Sequence, residues 1–339
     1  MRINGTEIGG GAAPLVIAEI GNNHDGSIRQ AESLIQAAAV AGAGAVKFQT
    51  HIAEAEMLPS TPTPPHFDEP RYTFTQRMEL SHDQHVHLKA YAEERGLIWF
   101  SSPFSVAAVE LLEAVGTPVY KVASGEVTNP PLLQAIAATG KPVIVSSGMS
   151  GLDDVERAVT MFQAAGSDVL VMQCTSTYPC PPEQVHLRAM TMMAERFGTL
   201  VGLSDHTPDI HASVGAVALG AAAVEKHFTL SRYLYGPDHK ASLEPADLAQ
   251  LVTGVRNVHL ALGSPEKLRD PGLDPARATF EKSVVSTVEI PAGTRIDPAM
   301  LTTKRPGNGI PATRIDEVVG RTTARAVAAN VLLEPADLA

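Results

Sequence analysis

The strongest constraint on the fold is an alternation repeated eight times between Pro14 and Leu262. A short apolar run ending in polar residues is followed by a longer Ala-rich stretch of helical periodicity. The runs are 14–21, 44–50, 97–102, 118–124, 142–147, 168–174, 200–204 and 222–228. The helical stretches are 28–41, 82–95, 106–115, 131–139, 152–165, 184–197, 210–219 and 245–262. Strands alternating with helices of about 10–15 residues predict βαβ units and a parallel sheet. Eight such units over about 250 residues predict a closed (β/α)8 TIM barrel, an α/β fold. An open doubly wound sheet ranks below it, because no G-x-G-x-x-G turn follows an early strand.

Local signals agree with this reading. Ser81-His82-Asp83-Gln84 has the form of a capping box, Pro131 suits a first helical turn, and Gly42 and Gly96 suit helix ends. The stretch between Gln49 and Ser81 is long and rich in proline, which predicts a lid or binding loop. The alternation stops in a polar segment with three prolines, so we divide the chain into a barrel (1–265), a linker (266–279) and a small β-rich module (280–339). At roughly 150 residues per domain, 339 residues allow this division.

Composition excludes several classes. Two cysteines rule out both a disulfide scaffold and a four-cysteine zinc site. A formal net charge of −11 argues against a general nucleic-acid-binding or anionic-membrane surface. The N-terminus lacks a signal-peptide pattern and no apolar run is long enough to span a bilayer, so a cytoplasmic protein is expected.

Chemistry-bearing residues gather at the C-terminal ends of the runs, the face on which barrel enzymes assemble their sites. They include Glu19, Asn22, Asn23, Lys47, Gln49, Ser101, Ser102, Lys121, Ser124, Glu126, Ser146, Ser147, Gln173, Thr175, Tyr178, Ser204, Asp205, His206, Glu225, Lys226, His227 and Asp238. Lysine and glutamate inside apolar strands are either paired or functional. Lys47 and Lys121 with Ser124, Ser146, Ser147 and Ser204 suggest an anion pocket. His206 and His227 end consecutive strands, and two imidazoles with open positions suit a divalent metal. His82, His85 and His87 are expected on a solvated helix face. His24 reads as a turn or a site residue, Cys174 as a strand-end core thiol, and Cys180 as a loop thiol. Neither cysteine shows a nucleophile–base pairing.

Taken in order, AEIGNNHDGS, AVKFQTH, FSSPFS, YKVASGE, SSGMS, CTSTYPCP, GLSDHT, EKHFT, GPDHKASLEP and RPGNG closely resemble the N-acetylneuraminate (sialic acid) synthase family, which includes legionaminate and pseudaminate synthases. The resemblance spans nearly the whole chain, and the tail from about Phe280 is similar to the family's antifreeze-like (SAF) domain. It implies condensation of phosphoenolpyruvate with an N-acylated hexosamine aldehyde, giving a nine-carbon 2-keto-3-deoxy acid and phosphate by C–O cleavage. N-acetylmannosamine and 2,4-diacetamido-trideoxyhexoses are the acceptors implied. A divalent metal is implied at His206 and His227, Mn2+ foremost, with Mg2+, Co2+ or Zn2+ as alternatives.

The implied phosphoenolpyruvate contacts are Lys47, Lys121, Ser124, Ser146, Ser147 and Ser204. The implied sugar contacts are Gln49, Tyr178, Asp238 and Arg305, the last from the small domain of a partner in a domain-swapped homodimer. Glu19, Glu126 and Asp238 are the candidate catalytic carboxylates. Ser176 departs from the family's frequent Asn, which bears on substrate choice, as does the proline-rich loop around 61–72.

Three rival readings fit the residues less well. A 3-deoxy-octulosonate- or heptulosonate-phosphate-type synthase would need further cations and no capping module. A metal-dependent barrel hydrolase would want His-x-His at the end of the first strand, where Asn22-Asn23-His24 stands. A structural or ice-binding role for the C-terminal module leaves the polar strand ends unexplained.

Overall fold

The computed structural model describes residues 1–64, 67 and 69–339. It divides into two compact units, Met1–Gly263 and Ser264–Ala339. In the first, eight parallel strands close into a barrel: β1 (Leu15–Gly21), β2 (Ala45–Thr50), β3 (Ile98–Pro103), β4 (Tyr120–Val122), β5 (Val143–Ser146), β6 (Val169–Cys174), β7 (Leu200–Asp205) and β8 (Ala223–His227). Each strand pairs with the next, and β8 returns to β1 with His227 opposite Glu19. The helices between are α1 (Ile28–Ala41), α2 (His82–Glu93), α3 (Val106–Val115), α4 (Pro130–Ala137), α5 (Leu152–Ala164), α6 (Leu187–Phe197), α7 (His211–Ala218) and α8 (Pro245–Leu262). All eight expected strands and helices are present, with ends shifted by a few residues. The capping box at Ser81 forms as expected.

Strand periodicity of two divides each strand between two cores. Val16, Ala18, Val46, Phe48, Trp99, Tyr120, Val145 and Leu203 face outward and pack under the helices. Ile17, Ala45, Phe100, Ile144, Leu170, Met172 and Ala223 fill the barrel interior. An N-terminal hairpin, Arg2–Ile3 with Thr6–Glu7, was not foreseen. Its neighbours Ile3 and Ile8 join the interior cluster and extend the apolar lower part of the barrel. β7 and β8 come close where Gly202 pairs with Ala223, and a side chain on Gly202 would strike the Ala223 carbonyl.

Several expectations are corrected. His85 is buried rather than solvated, with Nε2 at 3.1 Å from Thr50 Oγ1 and Nδ1 donating to the Ser81 carbonyl at 2.9 Å. Its ring meets Trp99 edge-on. His82 and His87 do lie on the solvated side. Cys180 sits in a loop but is buried, its N–H donating to the His206 carbonyl. The β2–α2 loop, expected to be more than a connector, contains short helices at Ala53–Glu56 and Arg71–Met78. Of the proline-rich stretch singled out there, residues 65, 66 and 68 lie outside the described set.

In the second unit, β9 (Ser283–Ser286) and β10 (Leu301–Lys304) pair antiparallel around Val284, Ile290, Ile296, Leu301, Ile310, Val318, Val327 and Leu333. The polar stretch read as a linker contains a short helix, Asp274–Phe280. No helix among the described residues is long and apolar enough to cross a membrane.

His24 is a turn residue. Its Nδ1 accepts from the Gly26 N–H at 3.1 Å, and its ring lies fully buried near Phe48. Burial, reinforced by nearby His51, holds its pKa at about 3, against 6.5 for an ordinary histidine. The unfolded chain therefore takes up a proton below pH 6.5 that the native fold refuses, so stability falls with pH until about pH 3. The expected contribution is a loss of about 2 kcal/mol between pH 7 and pH 5. Urea denaturation of wild type and His24→Asn at both pH values checks this: the variant should show the smaller drop, and equal drops would mean that native His24 is already protonated.

Candidate functional site

Above the apolar interior, the inward positions of the strands change to polar residues. Glu19, Lys47, Lys121, Ser146, Ser204 and Glu225 form one layer, and all are buried. Lys47 Nζ lies 2.9 Å from Glu19 and 3.8 Å from Glu225, and donates to Ser102 Oγ at 3.1 Å. Lys121 Nζ donates to Glu225 Oε1 at 2.9 Å, and Ser204 Oγ donates to the same oxygen at 3.2 Å.

Burial alone would discharge all of these groups. It lowers the pKa of Lys121, a drop that Glu225 only partly offsets. For Lys47 the balance reverses: the carboxylates of Glu19 and Glu225 outweigh burial, and its pKa rises. Burial would raise Glu225, but Lys121 and Lys47 hold it below the usual carboxylate range.

A cavity of 420 Å³ opens above this layer, a size suited to small substrates. Its wall includes Glu19, Lys47, Gln49, Lys121, Ser124, Ser146, Tyr178, Ser204, His206, Glu225, His227 and Asp238. Most of the residues singled out in the sequence thus share one chamber. Several buried atoms in it have no hydrogen-bond partner among the described residues: Asn22 Oδ1, Ser146 Oγ, Glu225 Oε2 and His227 Nδ1. Unmet buried polar atoms cost stability in a protein interior, and their convergence on one cavity is what a ligand site requires.

The two histidine rings lie 5.4 Å apart. His206 Nδ1 donates to the Thr175 carbonyl at 2.8 Å, which leaves Nε2 as the ring's free lone pair. Cys174 Sγ, 4.0 Å from the same Nδ1, is a weaker second contact. Burial disfavours charge on both rings. His227 is lowered on balance, whereas contacts with Cys174 and Thr175 raise His206. Cys174 is lowered, with His206 and Ser124 outweighing burial. Asp238 Oδ2 lies 3.8 Å from His227 Nδ1. Among the described residues, no cluster of three or more His, Cys, Asp or Glu could hold a metal. The donor set fits an ion held by two imidazoles, with the remaining positions open to water or substrate.

Other expected site residues lie elsewhere. Glu126 and Ser147 do not line the cavity. Glu126 accepts from Asn129 Nδ2 at 2.7 Å, and Ser147 Oγ donates to the Met172 carbonyl. Asp205 and Lys226 occupy outward strand positions and pair with each other at 3.2 Å behind the barrel. Asn23 ties the β1 loop to the Phe228 carbonyl and Ser242. Gln173 is held by the Val185 carbonyl. Arg305 lies in the second unit, its Nε donating to the Phe280 carbonyl at 2.9 Å.

The sequence reading missed Phe104, Met149, Phe67 and Arg71 in the cavity wall. It also missed Gly148, whose N–H donates to Ser124 Oγ at 3.0 Å. A side chain at Gly148 would collide with Ser124, Cys174 and Ser176. The SSGMS motif held that signal, because a glycine directly after a strand marks close approach.

The NeuB family profile matches residues 34–267, and the SAF domain profile matches residues 281–339. The chain is 39% identical over 316 residues to the N,N'-diacetyllegionaminic acid synthase of Campylobacter jejuni, covering 91% of this chain and 95% of that protein. It is 38% identical over 324 residues to the human N-acetylneuraminate-9-phosphate synthase, covering 94% and 90%. Its fold is similar to the crystal structure of a sialic acid synthetase from Leptospira borgpetersenii in complex with citrate. That match has a TM-score of 0.73 and 30% identity, covering 81% of this chain and 94% of that one. With that profile match and these relatives, the chain belongs to the NeuB family and ends in a SAF domain.

Proposed function

We propose that the barrel cavity condenses phosphoenolpyruvate with the open-chain aldehyde of an N-acylated hexosamine, releasing phosphate by C–O cleavage. One observation carries this reading. Two buried lysines, a set of hydroxyls with one left unmet, and two adjacent imidazoles line the same small chamber. That combination suits an anion beside an electrophilic carbonyl.

Lys47 and Lys121 bind the phosphate and carboxylate of phosphoenolpyruvate, with Ser124, Ser146 and Ser204 as hydroxyl donors. The Gly148 N–H fixes Ser124 for that task. Gln49, Tyr178 and Asp238 orient the sugar. A divalent metal, Mn2+ foremost, would be held by His206 and His227, and when bound would act as a Lewis acid toward the aldehyde oxygen.

The enol C3 forms the new C–C bond to the aldehyde carbon, as the C=O π electrons move to the aldehyde oxygen, which takes a proton from solvent water. Positive charge left on C2 faces the carboxylate of Glu19. Water adds at C2 and gives a proton to Glu19 or Asp238. The C2 hydroxyl then gives its proton to the departing phosphate oxygen as the C2–O(phosphate) bond breaks with its electron pair on that oxygen, releasing inorganic phosphate and leaving the 2-keto acid. Ser176, beside Gly148 in the wall, is placed to affect acceptor choice. The reading includes a swapped homodimer in which Arg305 serves a partner's cavity, and a cytoplasmic setting, with which two free thiols agree.

Two measurements test the proposal. Metal-stripped protein supplied with phosphoenolpyruvate, Mn2+ and a panel of N-acetylmannosamine, 2,4-diacetamido-trideoxyhexoses and arabinose 5-phosphate should release phosphate only with Mn2+ and an acylated sugar. Release with the sugar phosphate alone would move the protein to the aldose-phosphate branch. His206→Ala and His227→Ala should each abolish turnover and weaken Mn2+ binding measured by calorimetry. Unchanged binding in both would remove the two-histidine site.

A further inference from the structure

A chain of hydrogen bonds leads from the cavity into the β2 loop through a histidine that does not line the cavity. Glu19 Oε1 accepts from Gln49 Nε2 at 2.9 Å. Gln49 Oε1 accepts from Asn22 Nδ2 at 3.0 Å and lies 3.2 Å from His51 Nε2. His51 Nδ1 lies 2.9 and 3.0 Å from the two carboxylate oxygens of Glu56. His51 is buried and stacks on Phe104 with ring centres 4.4 Å apart. It follows Lys47 and Gln49 at the same period-two spacing, just beyond the end of β2.

The chemistry of these groups fixes the direction of every bond. Glu19, already paired with Lys47, offers only acceptors to Gln49. Gln49 must therefore turn its NH2 toward Glu19 and its oxygen toward His51. That oxygen already accepts from Asn22 Nδ2, and at 3.2 Å it can meet His51 Nε2 favourably only if Nε2 is a second donor, while the Glu56 carboxylate takes a donor from Nδ1. A neutral imidazole has one N–H and cannot meet both demands. Other groups acting on this corner are His24, held neutral by burial, Glu126, whose carboxyl is raised mainly by burial, and Arg71, whose guanidinium acts on Glu56.

We propose that His51 is a positioning residue. As a doubly protonated imidazolium anchored on Glu56, it acts with Asn22 Nδ2 to lock the Gln49 amide in the one orientation that presents N–H to Glu19. The inference rests on the condensation reading only for its kinetic test. If His51 failed to hold Gln49, the amide could flip and put oxygen against the Glu19 carboxylate, turning that carboxylate away from the reacting carbons.

Two variants separate positioning from packing. In His51→Gln the amide nitrogen falls near the former Nε2 and still reaches Gln49. In His51→Asn it falls near the former Nδ1 and reaches only Glu56. Wild type must first turn over phosphoenolpyruvate and sugar; if it does not, the condensation reading fails and the kinetic arm lapses with it. Given turnover, His51→Asn should lower kcat by about tenfold or more with KM for phosphoenolpyruvate within about twofold, and His51→Gln should stay within about threefold of wild type. Thermal melts of both report any packing loss. Equal kcat losses tracking equal losses of Tm would overturn the proposal, as would unchanged kcat in His51→Asn. An activity-independent readout uses 15N-imidazole NMR, with the His51 signals assigned by their loss in His51→Gln. Two nitrogen-bound protons on the wild-type ring are expected, and a single one would overturn the proposal.

Discussion

Two lysines and two glutamates buried in one layer of a barrel govern the rest of this structure. Desolvating four charges is costly, and the ion pairs among them recover that cost only where geometry is close. Here Lys47 sits at 2.9 Å from Glu19, and Lys121 at 2.9 Å from Glu225. The pairing keeps the layer near neutrality without using every acceptor and donor. Glu225 Oε2 and Ser146 Oγ remain unmet. The barrel thus closes on a charged layer that still has bonds to give, directly beneath the cavity. Below it the interior is wholly apolar, so the boundary between support and site falls within single strands: Ile17 below and Glu19 above, or Ala223 below and Glu225 above.

The loops complete the site by fixing side chains through backbone groups. The Thr175 carbonyl selects the tautomer of His206. Gly148 supplies an N–H to Ser124 from a position where no side chain fits. Asn23 clamps the β1 loop to the segment after β8. Each contact holds a cavity residue by a group whose position the barrel already sets, which is how a loop-built site acquires precision from a rigid scaffold.

Much of this was legible in the sequence, for physical reasons. Strand alternation with helices is a strong periodic signal, and polar residues at apolar strand ends mark the face of a barrel site. Lys47, Lys121, Glu225 and His227 were found this way. Asp205 and Lys226 were included wrongly because being at a strand end does not settle which face a residue occupies; parity relative to Glu225 does. Lys226 is one residue out of phase and bonds behind the barrel. Glu126 and Ser147 do not line the cavity because loop geometry, which sequence does not set, turns them toward local backbone and side-chain partners. His85 looked solvated amid polar neighbours, yet its helix turns it onto Thr50 and Trp99. Phe104 and Met149 carried no chemical signature at all, since apolar wall residues look like any loop residue until the cavity is seen.

An anion site in the buried lysine layer should be visible in calorimetric titration of phosphoenolpyruvate into the metal-loaded protein. Wild type should bind one equivalent per chain, and Lys121→Met, shown to be folded by its melting transition, should lose that binding. A wild type that binds none, or a Lys121→Met variant that binds as tightly as wild type, would contradict the account.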